Sequence, residues 1–272
     1  MKIPYKSLLF IILITSIWAC NTNNSKQEEP KEENKISETK SSEERLMKSV
    51  EAIHKKEKFF SEDMISYEIS YEFGKIADQL KVKSATDLSL IEIDSKVFGK
   101  SYYEGDQLYI DAMANAGDRE IKRNFQLLYF YHAFFHLSDK SFQLSPIQEV
   151  VLSNTQYKKI GVENKNLHKA FFPKKVDFFI DQRTDMMKGL QLQTSLINND
   201  RSTQKIHLQY DRFITVNHIP VALEWKFYPE NKFTEKDFLG EAKVTKIKYY
   251  TTEQLPVTIP KNAKPIKNSP LL

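Results

Sequence analysis

Between Ile65 and Phe73 apolar and polar residues alternate one for one, with Ile65, Tyr67, Ile69, Tyr71 and Phe73 set against Ser66, Glu68, Ser70 and Glu72. Period two predicts a strand with one buried face. Further strands are expected at 88–94, 97–103, 107–111, 148–154, 156–163, 175–181, 187–197, 204–215, 221–228 and 241–250. Glu104-Gly105-Asp106 and Asn198-Asn199-Asp200 supply turn chemistry between neighbours. A series of roughly ten strands joined by hairpin-like turns predicts a mainly β chain with a meandering antiparallel sheet, and argues against βαβ units.

Two segments break the alternation. Leu46, Val50 and Ile53 are spaced for one amphipathic helix over 43–58. From Asp118, placed to cap a helix, the chain reads DREIKRNFQLLYFYHAFFHLS to Ser138. On a helix Phe125, Leu128, Tyr129, His132, Phe135 and His136 share one face, and Leu127, Phe130, Tyr131, Phe134 and Leu137 cover the other. A helix apolar all round is buried or borders an apolar cavity. One reading makes it the plug on which the sheet closes. The other makes Tyr129, Phe130, Tyr131, Phe134 and Phe135 the contacts of a lipid-like ligand, with tyrosine hydroxyls orienting a polar head.

The first nineteen residues have a different character. Lys2 and Lys6 precede an apolar run from Leu8 to Trp18, too short for a membrane span, which needs about 20 residues. The run ends Ile17-Trp18-Ala19-Cys20, which resembles the lipobox of bacterial lipoproteins, with Trp18 bulkier than usual at its position. Cys20 is the only cysteine in the chain, so disulfides and cysteine-based metal sites are excluded and lipidation gives the thiol a use. The resemblance implies a signal peptide over 1–19, a lipid anchor on Cys20 and a place in the cell envelope at the outer membrane, with the leaflet open. Residues 20–44, polar and mixed in charge, read as a flexible tether, and 45–272 as a single domain.

Composition narrows the chemistry. Forty basic and 36 acidic residues give a net charge of only +4, and loss of Lys2 and Lys6 brings the mature chain nearer neutrality, so no nucleic-acid partner is implied. Seven dispersed glycines form no phosphate cradle, and neither a GxSxG elbow nor an EF-hand loop occurs. His132 and His136 stand one helical turn apart, a metal-ligand spacing, but the glutamate of HExxH is missing. Asp177 and Asp181 fall at strand and turn positions. The expectation is therefore no enzyme, no metal and no cofactor. It leaves a membrane-anchored module that binds an apolar or amphiphilic ligand, or an envelope protein with a solid core and a protein partner.

In the order of its segments the chain resembles a group of uncharacterised Bacteroidota lipoproteins, themselves similar to the outer-membrane lipoprotein carrier and receptor (Lol-type) fold. The resemblance rests on Leu128-Tyr129-Phe130-Tyr131, on Val176-Asp177-Phe178-Phe179-Ile180-Asp181-Gln182-Arg183-Thr184, and on Tyr210 followed by Val216-Asn217-His218-Ile219-Pro220. A closing Pro260-Lys261-Asn262-Ala263 completes it. It implies a strongly curved antiparallel sheet, a half-open barrel, with helices over its concave face and an apolar cavity beneath. Lys55 and His218 stand where that group often has glycine, so longer or differently shaped turns are expected there.

Overall fold

A computed structural model describes residues 41–137, 141–165, 172–196, 202–230, 232 and 235–266. The signal segment, Cys20, residues 21–40 of the tether and the Asn198-Asn199-Asp200 turn lie outside the described residues.

The first half contributes helices α1 (Ser42–Ile53) and α2 (Lys56–Phe60), then strands β1 (Met64–Phe73), β2 (Ile76–Ala85), β3 (Leu90–Ser95), β4 (Gly99–Glu104) and β5 (Gln107–Ile110). Helix α3 (Asp118–His132) follows and tightens into a 3-10 turn at Ala133–Phe135. The second half holds β6 (Phe142–Leu144), β7 (Gln148–Leu152), β8 (Thr155–Asn164), β9 (Lys175–Asp181) and β10 (Met187–Thr194). Strands β11 (Gln204–Val216), β12 (Ile219–Pro229), β13 (Gly240–Tyr250) and β14 (Lys264–Pro265) complete it. The strands form one antiparallel sheet in the order β14-β5-β4-β3-β2-β1-β13-β12-β11-β10-β9-β8-β6, with β7 also on β8. The two ends of that order do not meet, so the sheet is open.

Its curvature follows from what α3 touches. Phe125 meets Tyr103 of β4, and Tyr131 stacks on Tyr67 of β1 with centroids 4.1 Å apart. Phe130 meets Trp225 of β12, and Gln126 accepts a hydrogen bond from Thr194 Oγ1 of β10. From β4 to β10 a flat sheet would span about 34 Å at ~4.8 Å per strand, three times the ~10–12 Å thickness of one helix. The sheet reaches α3 at both places only by curling around it. The core is this wrap. From Ile121 to Phe135 every α3 and 3-10 residue except Lys122 is buried.

β2 fell outside the strands expected from sequence, although its ladder with β1 runs unbroken from Met64↔Ala85 to Phe73↔Ile76. Only Leu80 and Val82 carry its buried apolar signal, among lysines, Asp78 and Gln79. The expected helix over 43–58 is two helices, because Lys55 takes φ 60, the left-handed conformation. α1 starts at Ser42, inside the segment expected to be tether, with the Ser41 side chain accepting from Glu44 N–H. Asp118 is the first helical residue of α3 and not its cap. Gly117 holds that place, and its N–H donates to Glu120 Oε2 at 3.1 Å.

Lys55 (φ 60) and His218 (φ 67) both take the left-handed conformation. Asn217 (φ 50) and His218 (φ 67) form a two-residue, doubly left-handed turn closing Val216 on Ile219. Both non-glycine residues accept the backbone glycine favours, at a cost of ~1–2 kcal/mol each. Gly105 (φ 56) and Asp106 (φ 63) make the same turn between β4 and β5, as the sequence suggested. Gly240 is required by close approach: a Cβ there would collide with the Glu72 carbonyl oxygen of β1.

Candidate functional site

Helix α3 divides into two working halves. The C-terminal half and the 3-10 turn that follows it carry the five aromatic residues singled out for ligand contact, and all five are packed into the core. Phe135 lies flat on Phe59 of α2, centroids 3.8 Å apart and planes within 1°, and Phe134 stacks on His54 at 4.4 Å. Tyr129 meets Phe172, and Tyr210 donates its hydroxyl proton to the Phe130 carbonyl at 2.7 Å. None of the five lines the cavity of about 620 Å³ at the other half of the helix. Tyr67 and Tyr131 both have hydroxyls buried without a hydrogen-bond partner among the described residues, and burial pushes both pKa values well above the phenol range.

Three of the histidines, His54, His132 and His207, are buried. His132 is fully buried, its Nε2 is 3.4 Å from Ser84 Oγ, and its ring centre lies 6.2 Å from that of His136. Among the described residues no group of three or more His, Cys, Asp or Glu side chains could hold a metal ion. His54 Nε2 accepts the Met187 N–H at 3.2 Å. Burial, helped by the charge of Lys188, lowers the His54 pKa to about 3, and burial alone lowers His207 to about 3. His132 is lowered too, by burial and then by His136.

These shifts have a definite sign. Each imidazole is neutral in the fold but takes a proton below pH 6.5 once unfolded, so its contribution is whole above 6.5 and is lost as pH falls toward 3. At pH 5 the loss is about 2 kcal/mol per imidazole. Asp211 acts in the same direction but lower, since the Arg212 N–H and then Lys226 hold its pKa below the carboxylate range. Urea unfolding at pH 7 and pH 5 should show a large drop in stability, and equal midpoints would contradict the buried-neutral assignment.

The N-terminal half of α3 faces a cavity of about 620 Å³. Its origin is a fault in the sheet. β9 and β10 pair from Met187↔Ile180 to Gln191↔Asp177 and then separate. On its far side β10 stays paired to β11 out to Thr194↔Gln204, and β9 stays paired to β8 out to Glu163↔Lys175. The end of β10 is bound to the helix instead: Thr194 Oγ1 donates to Gln126, and Arg123 Nε donates to the Leu196 carbonyl at 3.1 Å. The cleft between the diverging strands is thus floored by α3. Pro173, Val176, Leu192 and Leu196 give it apolar wall.

Some solved structures resemble this chain, all with TM-scores below 0.5. A LolA superfamily protein from Nitrosomonas europaea is similar over 77% of this chain and 94% of its own, at 7% identity and a TM-score of 0.49. A DUF1329 family protein from Desulfovibrio piger covers 75% and 92% at 9% identity and 0.44. A domain assigned to outer-membrane lipoprotein sorting, from Vibrio parahaemolyticus, covers 80% and 96% at 9% identity and 0.41. No protein family matches the sequence, and no curated protein does. Identities of 7–9% leave the functional reading to this chain's own residues.

Among the described residues the cleft is lined by six cations, Arg119, Lys122, Arg123, Lys174, Lys175 and Lys205, against one carboxylate, Asp177. Asp177 is already engaged, 3.0 Å from Lys159 Nζ and 3.8 Å from Lys205 Nζ. Sequence reading missed this site because strand divergence has no periodic signature. One signal was present: Arg123 occupies the same helical stripe as Leu127, Phe130 and Phe134, where an exposed residue does not belong. The Asp-x-x-Thr turn is where it was expected, with Asp181 Oδ1 accepting from the N–H groups of Arg183 and Thr184.

Proposed function

We propose that this domain is a binding module, not an enzyme, and that it holds an amphiphilic, lipid-like molecule in the cleft between β9 and β10. A lipid on Cys20 would keep it at the membrane of the cell envelope. The observation that carries the reading is the 620 Å³ cleft itself, opened where two otherwise well-paired strands part and walled by Val176, Leu192 and Leu196. That volume falls in the range of about 300–1,000 Å³ used by small-molecule sites. Burial of an acyl chain there is worth ~0.8 kcal/mol per methylene, so micromolar binding, about 8 kcal/mol, takes ten or more buried methylenes, and contacts to the head must offset the cost of immobilisation.

The aromatic residues first considered as contacts have a supporting role in this proposal. Tyr129, Phe130, Tyr131, Phe134 and Phe135 fix α3 against the sheet, so its N-terminal half is held rigid under the cleft. Their solid packing favours the alternative, an envelope protein with a filled core, for that half of the helix alone. Organic extraction of purified residues 21–272, followed by mass spectrometry, tests the proposal. It predicts a recovered amphiphile or, from stripped protein, saturable uptake of a fluorescent fatty acid. Recovery of nothing together with no uptake would favour the filled-core protein.

A further inference from the structure

Arg123 is the strained member of the cleft. It is 2% exposed, its Nε is bound to the Leu196 carbonyl, and its Nη2 has no hydrogen-bond partner among the described residues. The Tyr71 phenol of β1 interacts with Arg123 and is neutral: burial pushes its pKa up to about 12, with Arg123 pulling the other way. A guanidinium does not shed its proton in a protein, and a buried cation without a counter-charge costs several kcal/mol. Its planar fork matches an oxyanion with two hydrogen bonds.

The surrounding charges point the same way. Among the described residues five further cations line the cleft, whereas the one carboxylate in that lining, Asp177, is paired with Lys159 and Lys205. Lys205 and Lys175 also reach outward, to Glu230 at 2.8 Å and Glu163 at 3.6 Å. Such a field repels cationic heads and attracts anionic ones. The apolar wall is adjacent, since Leu192 and Leu196 bracket the Thr194 that ties β10 to the helix.

We infer, resting on the binding role proposed above, that the ligand is a single- or few-chain amphiphile with an oxyanion head, a phosphate or a carboxylate. The head pairs with Arg123 at the floor of the cleft, and the tail lies along Val176, Leu192 and Leu196. Arg123 thereby gains a counter-charge that no ion pair among the described residues supplies. The exposed lysines raise the capture rate and set selectivity without forming the floor.

Four probes on residues 21–272 test this by calorimetry: palmitoyl lysophosphatidate, palmitate, monopalmitoylglycerol and inorganic phosphate. The two anionic amphiphiles should bind at least tenfold more tightly than monopalmitoylglycerol, and inorganic phosphate should bind weakest. Arg123→Gln should erase most of that preference. Should Arg123→Gln fail to fold, the surface pair Lys122→Gln/Lys174→Gln should still cut the anionic preference two- to threefold. Equal affinity for neutral and anionic amphiphiles overturns this inference and leaves the binding role standing. Phosphate bound as tightly as lysophosphatidate makes the ligand a free anion and removes the tail from the proposal. No binding by any probe removes the binding role itself.

Discussion

Replacing Cys20 with alanine should abolish the acylated form of the protein. In the wild type, mass spectrometry of the mature N-terminal peptide should show acyl groups on Cys20, with residues 1–19 removed. In the variant both the acyl mass and that cleavage should vanish, because Cys20 is the only cysteine in the chain. The energetic consequence is large. A sixteen-carbon chain buries on the order of 12 kcal/mol of methylene surface, and two or three chains make the attachment effectively permanent. A version carrying an ordinary cleavable signal in place of residues 1–20 should therefore partition into the aqueous phase of a detergent separation, whereas the native protein enters the detergent phase. Aqueous partition of the native protein would remove the anchor from this account.

Phe130→Ala should be the most damaging of the aromatic substitutions. The side chain is fully buried between Trp225 and Phe227 of β12, at centroid separations of 6.4 Å and 5.9 Å, and its own carbonyl receives the Tyr210 hydroxyl. Truncating such a ring costs about 3–5 kcal/mol through lost transfer energy and the cavity left behind. Against a typical domain stability of about 5–15 kcal/mol that is a third or more. Chemical unfolding should show the midpoint falling sharply at unchanged slope. Ligand uptake by whatever fraction stays folded should be intact, because Phe130 is outside the cleft lining. Loss of uptake without loss of stability would return the ligand to the aromatic half of α3.

How much of this was readable in the sequence depended on whether one element or two were needed to see it. β1 announced itself, since Ile65 to Phe73 obey period two with no interruption. The aromatic helix did so as well: its all-round apolarity required burial, and the sheet supplies it. The halt at Lys55 was hidden, because a lysine in the left-handed region carries no sequence mark of the kind glycine does. β2 was hidden by its charges, which the neighbouring strands β1 and β3 tolerate on the outer face. The cleft is the clearest case. It depends on where the β9–β10 register stops, at Gln191↔Asp177, and on two side-chain hydrogen bonds from β10 to α3. No residue pattern within either strand encodes that stop. Arg123 was the one readable clue, and its meaning required the cleft.

The central claim is that the cleft between β9 and β10 holds the tail of an amphiphile. It is tested most directly by photolabelling residues 21–272 with a palmitate carrying a diazirine at the tail end, then mapping the adducts by peptide mass spectrometry. The account predicts adducts on Val176, Leu192 and Leu196, competed away by unlabelled palmitate. Competable adducts confined to the 129–135 segment or to β1–β5, with none on those three residues, would contradict it.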